Sequence, residues 1–589
     1  MKATVSSHFI IQPLLRSPGV YHHLIFMLLL SFSALSSSFQ SPKKLVGGGV
    51  NRIFLRRSKS WRKTAEEVVR SSSLLNLNKR FTSTTTTTMR GSLSSTMDNP
   101  EFNNQWSKEE SPKVAIIGAG AAGLVTAQIL SLNGFKPQIF EKESDQSKTS
   151  SSSSSGKKKK SGIGGVWSYQ PNSKTKPMYK NLRTNLPREL MAYRSKKWGG
   201  DGTSMSFVTH GDVQDYLHEY MVENDLEQFI SFDCNIKQLT VLKNHDDDDD
   251  DDDYYRNVSS RRIGHYPRVE LEWDSSSSSI QKQTFDAVCI CNGHYAAPSS
   301  PPIQGIDENY KGEILHSIEY DEPQRFTKKN VLCIGGRASG SDLAREISHY
   351  ANKVYLSDSS CPINNNNNIN NNSEHNDHGS GNAIVSDNVF WVPKTLSIDE
   401  KGSIHFEKPC TECPNDIDVI IFCSGYDYQF PFINDQSNLN LSVVSGERRV
   451  SPLYEQLWHA QYPNIAFVGL QHSVVPFPFF EFQAEAIVRQ WNLIMKDDGG
   501  NNHDEKKEQD ESVLLKIPKS VEERMESAIR DANSGGPKEN GRVQDTHFLG
   551  SYQWDACRTY ARYAGVLDED VENHIATNQV SFKNCEVNL

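Results

Sequence analysis

The stretch Lys113-Val114-Ala115-Ile116-Ile117-Gly118-Ala119-Gly120-Ala121-Ala122-Gly123 joins a short apolar run to a glycine-rich turn. From Ala121 the apolar residues recur at helical spacing to Asn133, Gly134 stops the pattern, and Pro137 to Phe140 is again strand-like, closed by Glu141. This order predicts a βαβ unit with two parallel strands. Each glycine has a separate physical task. Gly118 permits the tight exit from the strand, Gly120 lets the backbone approach a pyrophosphate, and Gly123 lets helix and strand pack closely. Ala119, Ala121 and Ala122 keep the rest of the turn small, and the helix start presents N–H groups and a positive dipole end to phosphate. Glu141 stands where an acid accepts hydrogen bonds from a ribose diol, an arrangement that suits the adenosine ribose of FAD.

A second turn, Gly335-Gly336-Arg337-Ala338-Ser339-Gly340, repeats the plan. It is predicted to lie between a strand Val331 to Ile334 and a helix Gly340 to Ala351, with the next strand at Lys353 to Leu356. Two departures stand out. Arg337 replaces the middle glycine, and Asp358 follows the strand where an NADP site usually offers Arg or Lys, so the choice between NADPH and NADH stays open here. Arg337 is itself a candidate to reach a 2′-phosphate. The expected fold is α/β with two nested Rossmann-like dinucleotide-binding domains. Residues 1–98 form a presequence, 111–295 the first part of the FAD domain, 296–422 the inserted NADP domain, 423–570 the second part of the FAD domain, and 571–589 a C-terminal tail.

The bulk composition fits that plan. The chain has 589 residues, 36% hydrophobic and 23% charged, which allows two to four globular domains. Its formal charge of -10 contains the run of acids Asp246 to Asp253, without which the balance is nearly neutral, so charge makes no case for a nucleic-acid partner. Ser150 to Lys160, Asp246 to Asp253, Ser275 to Ser279, Asn364 to Asn372 and Asp497 to Glu511 are too polar to bury a core and are expected as disordered loops. Ten cysteines in a chain of this size do not make a disulfide scaffold. Cys289, Cys291, Cys333 and Cys423 sit in apolar runs and read as small hydrophobes, reduced thiols are expected, and Cys410-x-x-Cys413, which offers a redox pair or half of a zinc site, reads first as part of a hairpin turn because no second CxxC or paired histidines accompany it. No metal site is assigned.

At the N-terminus, Leu24 to Leu35 is an apolar stretch short for a membrane span, followed by small residues up to Ser38-Phe39-Gln40. Residues from Lys43 to Met97 are rich in Lys, Arg, Ser and Thr and poor in acids, the composition of a transit peptide. Together they resemble the bipartite presequences of algae with complex plastids, so import into an organelle, a plastid first, is expected. A mitochondrial leader, or a true start at Met89 or Met97 leaving a cytoplasmic protein, are the alternatives.

Further motifs follow in order. Gly164-Gly165-Val166-Trp167 precedes Arg183-Thr184-Asn185-Leu186-Pro187, then come Cys291-Asn292-Gly293-His294-Tyr295 and the stretch Tyr310 to Tyr320, with Gly312 and His316 at fixed spacing. Cys423-Ser424-Gly425-Tyr426 and Pro476-Phe477-Pro478 complete the series. This series resembles the flavin-containing monooxygenases, class B flavoprotein monooxygenases, and within them the plant-type S-oxygenating members. Tyr310 to Tyr320 looks like the family fingerprint FxGxxxHxxx(Y/F), with Tyr310 as its first aromatic. Tyr320 before Asp321, instead of Trp before Pro or Asp, favours oxygenation of a heteroatom over Baeyer-Villiger insertion. The resemblance implies FAD and NADPH as cofactors, with O2 and a small nucleophile, a thioether or an amine, as substrates. It implies that O2 adds to the flavin as a C4a-hydroperoxide, which the substrate sulfur or nitrogen attacks. Val166, Trp167 and Thr184 would lie along the flavin, and Asn185 would act as the catalytic residue, its amide holding the cofactors in register. Val474 to Phe482 reads either as a channel lining or as core. The alternatives are an NAD(P)H oxidase that releases hydrogen peroxide and an inactive nucleotide-binding sensor or scaffold.

Overall fold

In the computed structural model the described residues are 111–144, 162–199, 205–242, 266–274, 279–361, 387–410, 413–414, 416–444, 448–495, 514–534 and 546–588. The expected presequence over 1–98 lies outside them, as do the serine, aspartate, asparagine and 497–511 tracts almost entirely. Among the described residues no helix is long and apolar enough to cross a membrane.

The first βαβ unit forms as its spacing predicts. Strand β1 (Lys113–Ile117) leads through the glycine turn into helix α1 (Ala121–Leu132), and β2 (Lys136–Phe140) runs parallel to β1 with Lys113 opposite Lys136 and Ile117 opposite Phe140. Asn133 caps the helix and Gly134, at φ 82°, turns the chain back. On its other edge β1 pairs in parallel with β3 (Ala287–Ile290), itself parallel to Ile465–Phe467, and the sheet reaches seven strands. The second unit repeats this. Strand β4 (Asn330–Ile334), helix α2 (Ala338–Ser348) and β5 (Lys353–Ser357) build a five-stranded sheet in which β4 lies between β5 and β6 (Val419–Phe422). All strands of this second sheet fall between residues 313 and 422, within the interval that separates two groups of first-sheet strands.

Both sheets are covered on both faces, and the period of two along each strand decides which core receives which residue. Val114 and Ile116 join one apolar cluster while Ala115 and Ile117 join another. Likewise Val331 and Cys333 face one side of the second sheet, Leu332 and Ile334 the other. Each fully buried Val or Ile contributes about 1.5–3 kcal/mol relative to its exposed state. A long helix, Pro476–Met495, packs into the first core through Phe477, Phe479, Phe482 and Trp491. The aromatic segment Val474 to Phe482 is therefore mainly core.

The expected C-terminal tail is helical over Glu569–Asn588 and seats Ile575 in the first core with Phe582 against it. Its apolar residues are too sparse to announce a helix without the surface they cover. Cys410 and Cys413 are joined by a disulfide instead of standing as reduced thiols. Cys289, Cys291, Cys333 and Cys423 are buried thiols outside any disulfide, and burial pushes the Cys291 thiol up to about 12, in keeping with a packing role.

Candidate active site

The first turn has no room for a side chain at its first and last glycines. Gly118 takes φ 105°, and a Cβ there would lie 2.7 Å from the carbonyl oxygen of Cys291. A Cβ on Gly123 would lie 2.0 Å from the carbonyl oxygen of Gly118. Gly120 is the N-cap of α1, has no capping side chain, and is followed by no acid in the first helical turn, which leaves N–H groups for an anion. Ala119, Ala121 and Ala122 are buried. Over this turn lies the Gly164-Gly165 segment: the Gly164 N–H donates to the Ala119 carbonyl at 2.9 Å, and a Cβ on Gly165 would stand 3.2 Å from the Cα of Gly120. Val166 and Trp167 continue it as a half-buried single turn, with the indole against the first core. Glu141 is buried at the end of β2, where Oε2 accepts the Ala119 N–H at 2.8 Å and Oε1 the Glu143 N–H at 3.0 Å. Burial raises its pKa, against those two donors. A cradle that a Cβ would fill, unclaimed helix N–H groups and an acid with remaining lone pairs together fit the AMP half of a flavin dinucleotide.

The second turn copies this backbone. Gly335 takes φ 112°, and Cβ atoms on Gly335 and Gly340 would lie 2.6 Å from the Cys423 carbonyl oxygen and 1.8 Å from that of Gly335. Arg337 occupies the N-cap at φ -78°, ψ -170°, nearly identical to Gly120 at -79°, -175°, so the arginine causes no backbone strain. Arg337, Ala338 and Ser339 are exposed while Gly336 is buried, and the Arg337 guanidinium carbon sits 5.5 Å from the ring centre of Phe548. Asp358 stands where Glu141 stands in the first unit: Oδ2 accepts the Gly336 N–H at 2.9 Å, and Oδ1 accepts the N–H and hydroxyl of Ser360 at 2.9 and 2.6 Å. Burial pushes its carboxyl upward, but the Ser360 and Gly336 donors and the Arg337 charge outweigh it and hold the pKa below the usual range.

The two turns are tied to two hinges that touch. Cys291 and Cys423 each follow the strand beside a turn, and just beyond them Tyr426 pairs with Pro298 and Asp427 with Ala297 in an antiparallel bridge. His316 of the fingerprint latches this region, with Nδ1 accepting the Ile318 N–H at 3.2 Å and Nε2 3.1 Å from the Gly425 carbonyl oxygen. Tyr320 donates to Glu346 at 2.7 Å, and Asp321 accepts from the Tyr169 hydroxyl and from the Asn172 and Lys180 N–H groups. These residues hold the elements around the cofactor turns. Gly312 is required because a Cβ there would lie 2.2 Å from the Tyr310 hydroxyl and 2.6 Å from the Asp418 carbonyl oxygen. Thr184 is buried, its N–H donating to the Val208 carbonyl at 2.8 Å and its hydroxyl accepting the Val208 N–H at 3.2 Å. This pins the bend on which Asn185 projects as an exposed residue.

Sequence reasoning passed over three residues here. Phe548 reaches Arg337 because its neighbours His547 and Leu549 exchange backbone hydrogen bonds with His472, a pairing across more than seventy residues with no local signal. Trp391 closes over Gly336, within 3.0 Å of a Cβ placed there. Lys176 is buried beside Glu143 in a polar stretch that gives no hint of burial.

The comparisons with known proteins agree with this geometry. A family model described as flavin-binding monooxygenase-like matches residues 111–363 and 363–497. Two flavin-containing monooxygenases of Arabidopsis thaliana, FMO GS-OX-like 2 and FMO GS-OX-like 8, are 28% and 30% identical over 395 and 402 residues. These matches cover 63% and 65% of this chain and 72% and 75% of the relatives. Among solved structures, S-allyl-L-cysteine S-oxygenase from Allium sativum superposes with a TM-score of 0.58 at 25% identity, over 80% of this chain and 93% of that one. The expected cofactors, FAD and NADPH, are in keeping with these matches. With two matching glycine turns, an acid capping each, and a family model spanning both, the chain belongs to the flavin-binding monooxygenase-like family.

Proposed function

We propose that the protein is an NADPH-dependent monooxygenase that transfers one atom of O2 to the soft sulfur or nitrogen of a small molecule, a thioether before an amine. The observation that carries this is the unequal covering of two otherwise matching turns. The first is roofed by Gly164-Gly165, as suits a flavin that stays bound. The second exposes Arg337, Ala338 and Ser339, as suits a nicotinamide that binds and leaves. When bound, the flavin would supply the chemistry, the activation of O2 with electrons drawn from the nicotinamide.

What the chain's own residues do follows from their positions. Gly118, Gly120 and Gly123 admit the flavin pyrophosphate to the start of α1, and Glu141 offers its free lone pairs to the adenosine ribose. Gly335, Gly336 and Gly340 do the same for the nicotinamide dinucleotide, with Arg337 as the cation for a 2′-phosphate. Asn185 supplies an amide, donor and acceptor together, that keeps the two cofactors in register. The thioether preference draws on the sulfur-oxygenating relative from Allium sativum, and the choice of a heteroatom over ketone insertion on Tyr320 in the fingerprint. The test is anaerobic reduction of the flavin-loaded protein by NADPH, followed by mixing with O2 with and without a thioether. Sulfoxide formed in proportion to NADPH consumed is the expected result. Peroxide released in that proportion whatever nucleophile is present would replace this reading with an oxidase, and absence of flavin reduction by NADPH or NADH would leave a nucleotide-binding scaffold.

A further inference from the structure

Behind the ribose acid of the first site lies a cluster of charges that none of the family motifs contains. Glu141 and Glu143 are adjacent through the Glu143 N–H, which donates to Glu141 Oε1 at 3.0 Å, and Gln170 Nε2 donates to Glu143 Oε2 at 3.1 Å and so prevents Glu143 from turning away. Lys176 lies 3.6 Å from Glu143 Oε1, with its side chain 8% exposed and its ammonium buried without a hydrogen-bond partner. Lys142, exposed, is the other charged group that acts on Lys176. A lysine on a polar loop could reach water by turning outward, and a buried ammonium lacking hydrogen bonds is a costly arrangement for the fold alone. Opposite it, burial first and then the neighbouring Glu143 carboxylate make Glu141 harder to ionise.

We propose that Lys176 is a positioning residue for the flavin dinucleotide: held beside Glu143, its charge favours the carboxylate form of Glu141, so that Glu141 retains the lone pairs that receive the ribose hydroxyls. The two backbone N–H groups on Glu141 use one lone pair of each oxygen, and protonation would take one of those left for the ligand. The opposing shifts agree with this: burial raises the pKa of Glu141 and lowers that of Lys176, and each charge acts against the shift of the other. This inference rests on the reading of the first turn as the FAD site.

The test measures dissociation constants for FAD, for ADP as the half that meets Glu141, and for FMN, which lacks it, by flavin fluorescence and calorimetry from pH 5.5 to 9. With Lys176→Met the acid-side loss of FAD and ADP affinity should move upward by about one pH unit, leaving affinity about tenfold weaker near pH 6 and FMN binding unchanged. Lys176→Arg should restore the wild-type profile. Glu143→Gln, which removes the repulsion, should move the loss downward, and it keeps the proposal testable if Lys176→Met does not fold. A Lys176→Met profile superposable on wild type, a Glu143→Gln profile that does not move, or an equal loss for FAD and FMN at every pH would overturn the proposal. Failure of the wild-type protein to bind FAD at all would instead overturn the reading of the first site.

Discussion

The two glycine turns share one backbone and differ in what stands around it. In both, the first glycine lies against the carbonyl of a hinge cysteine and the last against the carbonyl of the first, and an acid at the end of the next strand accepts an N–H of the turn. At the middle position the first turn has Gly120 and the second Arg337, in the same conformation. The first is covered by a second glycine pair, while in the second Trp391 closes over Gly336 but Arg337, Ala338 and Ser339 stay exposed, with Phe548 beside Arg337. The lesson is that the βαβ turn sets where a dinucleotide lies, and the residues brought over it from elsewhere set how tightly and in which form it is held.

The largest effects should come from adding a Cβ where none fits. Gly340→Val should weaken NADP+ binding by at least about a hundredfold, since the carbonyl of Gly335 cannot move without breaking the turn, while the purified protein keeps its flavin. Gly123→Val should do the reverse and yield protein without flavin. Flavin absorbance and NADP+ titration separate the two, and loss of both cofactors from either variant would mean that the sites do not fold independently.

The acids should have the next largest effect. Asp358→Asn removes a negative charge that Ser360 and the turn hold ionised, and it should raise affinity for NADP+ relative to NAD+ about tenfold. An unchanged ratio would show that Asp358 serves the turn alone. Arg337→Ala should weaken NADPH about five- to tenfold and leave NADH unaffected, because no backbone strain is relieved and only the guanidinium is lost. Equal weakening of both nucleotides would assign Arg337 to the pyrophosphate instead.

The smallest effect separates the acids by pH. Glu141 has a raised pKa, so the stability it contributes is present below the ordinary glutamate value and is lost as pH rises through the raised one. Asp358 has a lowered pKa, so its contribution is present above the ordinary aspartate value and is lost as pH falls through the lowered one. Thermal unfolding of apoprotein followed from pH 2 to 8 should therefore change in opposite senses in Glu141→Gln, above the ordinary glutamate value, and Asp358→Asn, below the ordinary aspartate value, by on the order of 1 kcal/mol or less. Parallel changes would mean that the two capping acids share one environment.

Much of this was legible in the residues. Strand, turn, helix and strand were read to within one to three residues in both units, because burial on both faces imposes continuous apolar runs and the turns admit only glycine at fixed points. The acids Glu141 and Asp358 were placed by counting from those turns. The three-stranded antiparallel sheet of Asn235–Val241, Val269–Asp274 and Ile280–Phe285 was not, although Val269 to Asp274 alternates strictly, since Ile280 to Thr284 does not alternate and low-complexity stretches separate the strands. Local sequence thus determined two dinucleotide turns, their order and their helix dipoles, because those depend on contacts within some thirty residues. Only the tertiary structure decided that Gly164-Gly165 roofs one turn, that Phe548 flanks the other and that Lys176 is buried behind Glu141, because each results from packing between segments whose separation in the chain carries no periodic signal.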